Sequence, residues 1–368
     1  MAIVADIAAF SARISGKTVW TFVRIRDADG RCGWGEATLQ ARSTAVQGHV
    51  EQLAPSFIGQ PARPSLLACG EQGAAHAAAF GAIDQALWDI SAQAQGRSLA
   101  DMLGAKRRTT IGLYANINRG TMDRSPSGFA ARARAAANSG FEAIKIAPFD
   151  DVVAESASTP AGRQLQAAGV ERVAAVRSAI GPDRRLMVDC HWRLTEAAAR
   201  DVLGELNPFG LYWLECPLVE EPAAFAALRR LRSQANEIGI RLAGCESMTG
   251  LAAFRSFVDA GVYDVIMPDV KYAGGLAEML RIGEAAEAGG VQCSPHNPTG
   301  PIAHLHSVHV CSNLTACPFL EFQYGESPLF FDIVDGDLPD PRQGVSAVPT
   351  SSGLGAGIDM MKLSPLLA

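Results

Sequence analysis

Six consecutive apolar segments in the second half of the chain each end in an ionisable side chain. They follow one another at intervals of 26, 31, 23, 27 and 25 residues: Asp189, Glu215, Glu246, Asp269, His296 and Glu321. An interval of that size fits one strand, one helix and two connecting loops, so all six side chains should fall on the same face of one sheet. A single carboxylate at a strand end often only caps the next helix. Six ionisable strand ends in succession favour an active site instead.

The first three of these side chains are all acids, and they predict a metal site. Asp189, Glu215 and Glu246 on adjacent strands would repel one another unless a cation neutralised them. Oxygen ligands with open coordination positions suit Mg²⁺, with Mn²⁺ as the alternative, whereas zinc favours His or Cys. The cysteines next to these acids are interpreted as packing residues, because neighbours in a strand face opposite sides: Cys190, Cys216 and Cys245.

Four further side chains are candidates for proton transfer. Asp269 and His296 end neighbouring segments, and a carboxylate beside an imidazole makes a general base, although a buried structural pair is the alternative. His191 lies two residues after Asp189, so strand alternation turns it towards the same side as a candidate general acid. Lys145, in the segment AIKIAPF, should face into the barrel that the strand pattern predicts, where it could act as a Schiff-base nucleophile, an electrostatic clamp or a second acid/base. His304, His306 and His309 are interpreted as helix residues.

Strand and helix patterns alternate over about 220 residues, and this alternation predicts the α/β fold class with parallel strands. The eight strand candidates are TTIGLYANI, FEAIKIAPF, RRLMVDCHW, GLYWLECP, IRLAGCES, YDVIMPD, GVQCSPHN and PFLEFQY. Eight such units favour a closed barrel over an open doubly wound sheet, which would normally carry a Gly-rich phosphate loop. Residues 1–107 are predicted to form an α+β unit, residues 108–330 the barrel, and residues 331–368 a tail that packs back on the first unit.

Composition excludes several classes of protein. The chain has 368 residues, of which 48% are apolar and 19% charged, with a net charge of −6. Disorder is therefore not expected, and neither nucleic acid nor an anionic membrane is an expected partner. The N-terminus has no basic region before its apolar residues, and no stretch is long enough to span a membrane. Eight cysteines without a CxxC pair indicate reduced thiols, so a cytoplasmic location is predicted.

Several motifs together resemble the mandelate racemase and muconate lactonizing enzyme branch of the enolase superfamily. They are GWGE, AIDQALWDISAQAQGRSLADMLGA, VDCHW, LECP, GCES, PDVKYAGGL and SPHNPTGPI. The resemblance implies an α+β capping domain, built from both termini, over a (β/α)7β TIM-type barrel in which the last helix has lapsed. It also implies abstraction of the proton α to a carboxylate, with Mg²⁺ stabilising the enediolate. Members of this family are usually homo-oligomers.

The resemblance assigns roles to the strand-end residues. Asp189, Glu215 and Glu246 match the metal ligands, and Asp269 with His296 matches the dyad of the mandelate racemase subgroup. Glu321 matches an acid that hydrogen-bonds the substrate carboxylate or enolate. In muconate lactonizing enzymes the position of Asp269 is a catalytic Lys. Lys271, two residues later in this chain, is not chosen as a site residue.

One departure from the family pattern bears on the reaction. The second strand often carries Lys-x-Lys, but here it carries Lys145 and Ala147, so the second base is missing and racemisation is not favoured. The pairing of Asp189 with His191 resembles acid-sugar dehydratases such as D-galactonate dehydratase. The prediction is β-elimination of water from an acid sugar, a small-molecule carboxylate, to give a 2-keto-3-deoxy acid.

Other reactions stay open at this point. A racemase, epimerase or lactone cycloisomerase would use Lys145 as the second acid/base, and a Schiff-base aldolase would use it as the nucleophile. A barrel that only binds a carboxylate is the alternative outside catalysis. Loops near residues 8–18 and 39–46 are expected to select the substrate, and the segment 150–165 is expected to be a lid or an interface element.

Overall fold

A computed structural model describes residues 2–64 and 73–368. The N-terminal unit is a three-stranded antiparallel sheet in the order β1-β2-β3 with helices against it. Its elements are β1 (Val4–Arg13), β2 (Val19–Asp27), β3 (Cys32–Glu36), α1 (Ser43–Leu53), α2 (Ala74–Ala94) and α3 (Leu99–Leu103). Helix α2 lies so close to β3 that a Cβ at Gly35 would collide with the carbonyl of Ala82. The glycines of GWGE therefore permit this close packing.

Eight parallel strands form the second unit, and all eight correspond to segments predicted from the sequence. They are β4 (Thr110–Asn116), β5 (Ala143–Ile146), β6 (Arg185–Asp189), β7 (Leu211–Glu215), β8 (Arg241–Gly244), β9 (Val265–Ile266), β10 (Gln292–Cys293) and β11 (Leu320–Gln323). The helices between them are α4 (Pro126–Asn138), α5 (Pro160–Ile180), α6 (Glu196–Leu206), α7 (Phe225–Glu237), α8 (Leu251–Ala260), α9 (Leu276–Ala288) and α10 (Pro301–Cys311). The predicted α/β fold class with a TIM-type barrel is confirmed.

The sheet closes on itself, which rules out the open doubly wound alternative. Strand β11 pairs in parallel with β4, and the sheet continues in order from β4 to β10. Backbone hydrogen bonds complete the circle between the β10 and β11 segments: Cys293 N donates to Ala316 O at 2.9 Å, and Glu321 N donates to Pro295 O at 3.4 Å. Closure brings the carboxyl ends of all eight strands to one face.

A layer of buried side chains fills the barrel away from that face. It consists of Tyr114, Ala143, Met187, Trp213, Ala243, Val265 and Met267. The alternate strand positions turn outwards and pack with the helices in the main hydrophobic core, which also takes in Cys190 and Cys245. Cys216 is buried as well, as expected for a packing residue. The seven cysteines among the described residues are free thiols, and Cys69 lies outside those residues.

The C-terminal tail contacts both units. Its elements are α11 (Leu329–Asp332), β12 (Val334–Gly336), β13 (Val345–Ala347), β14 (Ala356–Ile358) and α12 (Met360–Leu363). Strand β13 pairs with β4, Leu354 N donates to Asp89 Oδ1 of α2 at 2.8 Å, and Ala368 N donates to Ser11 O of β1 at 2.9 Å. The helix that directly follows the last barrel strand is the four-residue α11, much shorter than the helices after the other barrel strands, which is consistent with a lapsed last helix. The domain boundaries at 107 and 330 stay predictions.

The described helices give no sign of a membrane span. None of those lying within residues 2–64 and 73–368 combines the length and the apolar character that crossing a bilayer requires.

Candidate active site

Three acidic side chains come together at the face of the barrel formed by the C-terminal ends of the strands. Asp189 is the last residue of β6, Glu215 the last of β7, and Glu246 follows β8 by two residues. Each offers a carboxylate oxygen, and these oxygens all lie within 4.8 Å of one another, in a buried position. Cys245 precedes Glu246 with a φ of 72°, so a left-handed turn rather than strand alternation directs Glu246 to the cluster. The predicted set can hold a metal ion.

The electrostatics of this triad fit a divalent cation. Burial and the neighbouring charge of Asp189 raise the pKa of Glu246 to about 8. Burial acts the same way on Asp189, but His191 and Lys145 outweigh it and hold the pKa of Asp189 at about 2. Glu246 Oε2 is buried and has no hydrogen-bond partner in the part of the chain that the structure describes. An all-oxygen donor set with an unpartnered carboxylate oxygen suits a hard cation.

Lys145 reaches into the acid cluster from β5. Its Nζ lies 2.5 Å from Glu215 Oε1, 3.1 Å from Glu321 Oε1 and 3.9 Å from Asp189 Oδ2. Burial would lower the pKa of Lys145, but the charges of Glu215 and Glu321 outweigh burial and raise it well above its usual value. The side chain is thus a buried ammonium group with three carboxylates around it. This fits an electrostatic clamp, whereas a Schiff-base nucleophile or a general base needs a free amine.

Asp269 and His296 form a hydrogen-bonded pair. His296 Nδ1 lies 2.8 Å from Asp269 Oδ2, and His296 Nε2 faces the triad, 3.6 Å from Glu246 Oε2. Burial would raise the pKa of Asp269, but Lys271 and His296 outweigh it and lower it. The carboxylate therefore accepts a hydrogen bond from Nδ1–H and leaves Nε2 facing the triad.

Sequence reasoning did not select Lys271, yet it lies in this site. Lys271 Nζ is 2.6 Å from Asp269 Oδ2, the oxygen that also binds His296, and the side chain lines the cavity. The available signal in the sequence was the position of Lys271 two residues after Asp269, a carboxylate at the end of a predicted strand. The backbone turn that folds residue 271 back onto residue 269 has no signature in the residue spacing.

Glu321 is held as a carboxylate by donors on both of its oxygens. Asn116 Nδ2 donates to Oε1 at 2.7 Å, and the backbone N–H of Asn297 donates to Oε2 at 2.8 Å. Burial would raise the pKa of Glu321, but Lys145 and His296 outweigh it and lower that pKa. Neither asparagine was predicted from the sequence.

His191 lies beside the triad, although the reasoning that placed it there was wrong. Strand β6 ends at Asp189, so alternation does not extend to residue 191; instead, His191 has a φ of 45° in a left-handed turn. Its Nε2 lies 2.9 Å from Asp189 Oδ2, and its Nδ1 lies 3.0 Å from Asp150 Oδ1. Burial would lower the pKa of His191, but Asp189 and Asp150 outweigh it and raise that pKa well above its usual value.

A cavity of about 870 Å³ opens over these residues, between the N-terminal unit and the barrel. Both loops predicted to select the substrate contribute to it, through Lys17 and Leu39. Charged side chains of both signs line the cavity together with neutral side chains that can hydrogen-bond hydroxyl groups; the neutral ones are Thr18, Thr38, Gln40, Asn116, Asn118 and Gln323. The size and the polar lining suit a small hydroxylated molecule.

Two family models match this chain. Residues 7–104 match the mandelate racemase/muconate lactonizing enzyme N-terminal domain, and residues 128–362 match the enolase C-terminal domain-like model. The chain belongs to the mandelate racemase and muconate lactonizing enzyme family. The resemblance inferred from the sequence motifs is confirmed.

Individual relatives within this family carry dehydratase names. A D-galactonate dehydratase of Klebsiella pneumoniae is 30% identical over 357 residues, covering 94% of this chain and 90% of that protein. A D-gluconate dehydratase of Thermoproteus tenax is 30% identical over 346 residues, covering 92% of this chain and 67% of that protein. The crystal structure of a mandelate racemase/muconate lactonizing enzyme-like protein from Rubrobacter xylanophilus aligns with a TM-score of 0.88 and 27% identity, over 100% of this chain and 98% of that one.

Proposed function

We propose that this protein is a carbon–oxygen lyase that removes water from an acid sugar to give a 2-keto-3-deoxy acid. The observation that carries the proposal is the pair of imidazoles beside the acid triad. His296 Nε2 lies 3.6 Å from Glu246, and His191 Nε2 lies 2.9 Å from Asp189, so each imidazole contacts a different member of the triad. One group can take the α-proton while the other gives a proton to the leaving hydroxyl.

The proton transfers in this reaction balance between the two histidines. His296 Nε2 takes the proton from the α-carbon as that C–H bond breaks. The C–O bond at the β-carbon then breaks, and the hydroxide leaves as water with the proton that His191 gives. The product first formed has a double bond between the α- and β-carbons and a hydroxyl on the α-carbon, so it is an enol. It tautomerises to the 2-keto acid as the enol proton is lost and the β-carbon gains one. Solvent then removes the proton from His296 and returns one to His191.

Asp189, Glu215 and Glu246 would hold Mg²⁺, with Mn²⁺ as the alternative. The cation would supply binding of the substrate carboxylate and stabilisation of the negative charge that develops there during α-proton removal. Lys145 and Glu321 complete the surroundings: the ammonium group adds positive charge, and the carboxylate of Glu321 is fixed to accept a hydrogen bond from the substrate.

Racemisation and epimerisation are less well supported by this site. They need a second base facing the substrate from the other side, and the position where the family often has it is Ala147. Lys145 is surrounded by three carboxylates as a buried ammonium group, so it does not supply that base.

The dehydratase names of the relatives and the polar lining of the cavity support an acid sugar as the substrate class. A cytoplasmic location and a homo-oligomeric assembly belong to the same proposal.

The test is a screen of aldonic and aldaric acids with Mg²⁺ present. A 2-keto-3-deoxy product reacts with semicarbazide and has one water less than the substrate, whereas an epimer keeps the formula. We expect at least one acid sugar to give the semicarbazide-reactive product. Formation of an epimer alone, with no loss of water, would contradict the proposal.

A further inference from the structure

His191 is held at both of its ring nitrogens. Nε2 lies 2.9 Å from Asp189 Oδ2, and Nδ1 lies 3.0 Å from Asp150 Oδ1. Asp189 belongs to the metal triad, whereas Asp150 lies in the loop after β5 and outside that triad. The contact with Asp150 therefore fixes the ring from the side that faces away from the metal ligands.

Asp150 is itself fixed by groups around it. Arg124 Nη2 donates to Asp150 Oδ2 at 2.7 Å and to the carbonyl of Ala147 at 2.7 Å, and its guanidinium group lies 4.4 Å from the centre of the Phe129 ring. Burial would raise the pKa of Asp150, but the hydrogen bond to His191 and the charges of His191 and Arg124 outweigh it and lower that pKa. Asp150 is thus a carboxylate with a set orientation.

The same arrangement occurs at the other histidine. His296 has Asp269 on its Nδ1 at 2.8 Å, with the Lys271 ammonium group on that carboxylate. His191 has Asp150 on its Nδ1 at 3.0 Å, with the Arg124 guanidinium group on that carboxylate. In both cases a carboxylate backed by a cation accepts Nδ1–H and directs Nε2 towards the acid triad. Partners of this kind fix the tautomer and the orientation of a functional imidazole.

We propose that Asp150 is the positioning residue of the elimination half-reaction, holding His191 so that Nε2 delivers its proton to the leaving β-hydroxyl. This inference rests on the proposed dehydration. Asp150 keeps the Nδ1–H hydrogen bond throughout, while the Nε2–H bond breaks, the proton joins the departing hydroxide, and water leaves. His191 lies in a left-handed turn after the end of β6 and not within a strand, so a side-chain partner is needed to orient its ring.

The proposal separates the two halves of the reaction. Removal of the α-proton depends on His296 and Asp269, which have no contact with Asp150 among the interactions described above. Loss of the β-hydroxyl depends on His191. Weakening the support of His191 should therefore leave α-proton removal in place. The species formed should then lose its β-hydroxyl less often and take up a solvent proton at the α-carbon more often.

The experiment uses Asp150→Asn and Asp150→Ala in D₂O with Mg²⁺ and a substrate that the wild-type protein dehydrates. Total α-proton removal is the deuterium found in the remaining substrate plus the product formed, both measured by ¹H NMR. We expect product formation to fall by about 10- to 100-fold, the usual effect of removing an orienting partner, while total α-proton removal stays within about threefold of wild type. The ratio of exchange to elimination then rises by at least about tenfold.

Asp340→Asn is the matched control, since it removes a tail carboxylate whose ion pair is with Arg342 at 2.6 Å, away from the residues that line the cavity. It should keep the wild-type ratio. Intact exchange in the Asp150 variants also shows that the fold and the base are preserved. An unchanged ratio of exchange to elimination in both Asp150 variants, or an equal loss of both processes, would overturn the positioning role. Failure of wild type to dehydrate or exchange any acid sugar would instead refute the proposed function, and the positioning role with it.

Discussion

At the scale of single residues, the site uses carboxylates in two different ways. Asp189, Glu215 and Glu246 present their oxygens to one another, an arrangement that a bound cation relieves. Asp269 and Asp150 instead each hold one nitrogen of an imidazole. The same chemical group therefore serves as ligand or as orienting partner according to what it faces.

Replacing His296 by Asn should abolish the first step. Asn cannot take a proton, so we expect α-proton removal, measured by ¹H NMR in D₂O, to fall by about 10²- to 10⁴-fold. His49→Asn changes an imidazole of the N-terminal unit whose ring packs against His76, 5.5 Å between ring centres, and should keep the wild-type rate. Undiminished exchange in His296→Asn would show that another group is the base.

The strand-end residues, including the Asp269–His296 pair, were predictable from the sequence, whereas the loop residues that support them were not. The spacing of the acids follows from the strand–helix unit, so the position of Glu215 at the end of β7 could be inferred from its interval alone. Asp150 and Lys271 lie in loops, where the backbone turns decide which side chains meet, and residue spacing carries no record of those turns. The left-handed turns at His191 and Cys245 explain why alternation was the wrong argument there.

At the scale of elements, the N-terminus of helix α10 is held by a side chain of the N-terminal unit. Glu36 of β3 accepts hydrogen bonds from the backbone N–H groups of Gly300 and Ala303, at 2.8 and 3.0 Å, and from Thr299 Oγ1 at 2.5 Å. A carboxylate at a helix N-terminus satisfies N–H groups that have no partner within the helix. The N-terminal unit thus fixes the loop that leads from His296 into α10.

The three histidines of α10 lie on a helix, as predicted, and because all three are buried they should make stability depend on pH. His309 Nε2 lies 3.0 Å from the carbonyl of Leu354, and burial lowers the pKa of His309 to about 4. The unfolded chain takes up this proton below about pH 6.5 and the folded chain only near pH 4, so stability is present above pH 6.5 and is lost as the pH falls. At pH 5 the loss from His309 is about 2 kcal/mol.

The variant His309→Gln should remove this contribution. Urea unfolding at pH 7 and pH 5 should show that the free energy of unfolding falls by about 2 kcal/mol less in the variant than in wild type. Between pH 7.5 and 8.5, where the imidazole is neutral in both states, the two proteins should change in parallel. Equal losses between pH 7 and pH 5 would contradict the assignment.

At the scale of the whole molecule, a buried acid joins the N-terminal unit to the barrel over the cavity. Glu326, in the loop after β11, accepts hydrogen bonds from Thr18 and from Ser15, the latter at 3.4 Å. Its other oxygen lies 3.3 Å from Arg119 Nη1 of the barrel. The loop that contributes Lys17 and Thr18 to the cavity is therefore fastened to the barrel at its rim.

Glu326→Ala should release that loop. We expect KM for the acid sugar to rise about tenfold, the equivalent of about 1.4 kcal/mol, because the open loop no longer closes the cavity, with a smaller change in kcat. Steady-state kinetics of the semicarbazide-detected product measure both. Glu237→Ala, at an exposed position on α7, is the control and should behave as wild type. A fall in kcat at constant KM would count against a role in closure.

The central claim is that a divalent ion held by Asp189, Glu215 and Glu246 makes the α-proton removable by His296. The most direct test is Mg²⁺ titration of the metal-depleted protein, following metal binding by calorimetry and α-proton exchange in D₂O by NMR. We predict one ion per chain, exchange that rises in proportion to occupancy, and loss of both in Glu246→Gln. Full exchange in the metal-depleted protein, or stoichiometric Mg²⁺ binding that survives unchanged in Glu246→Gln, would contradict this account.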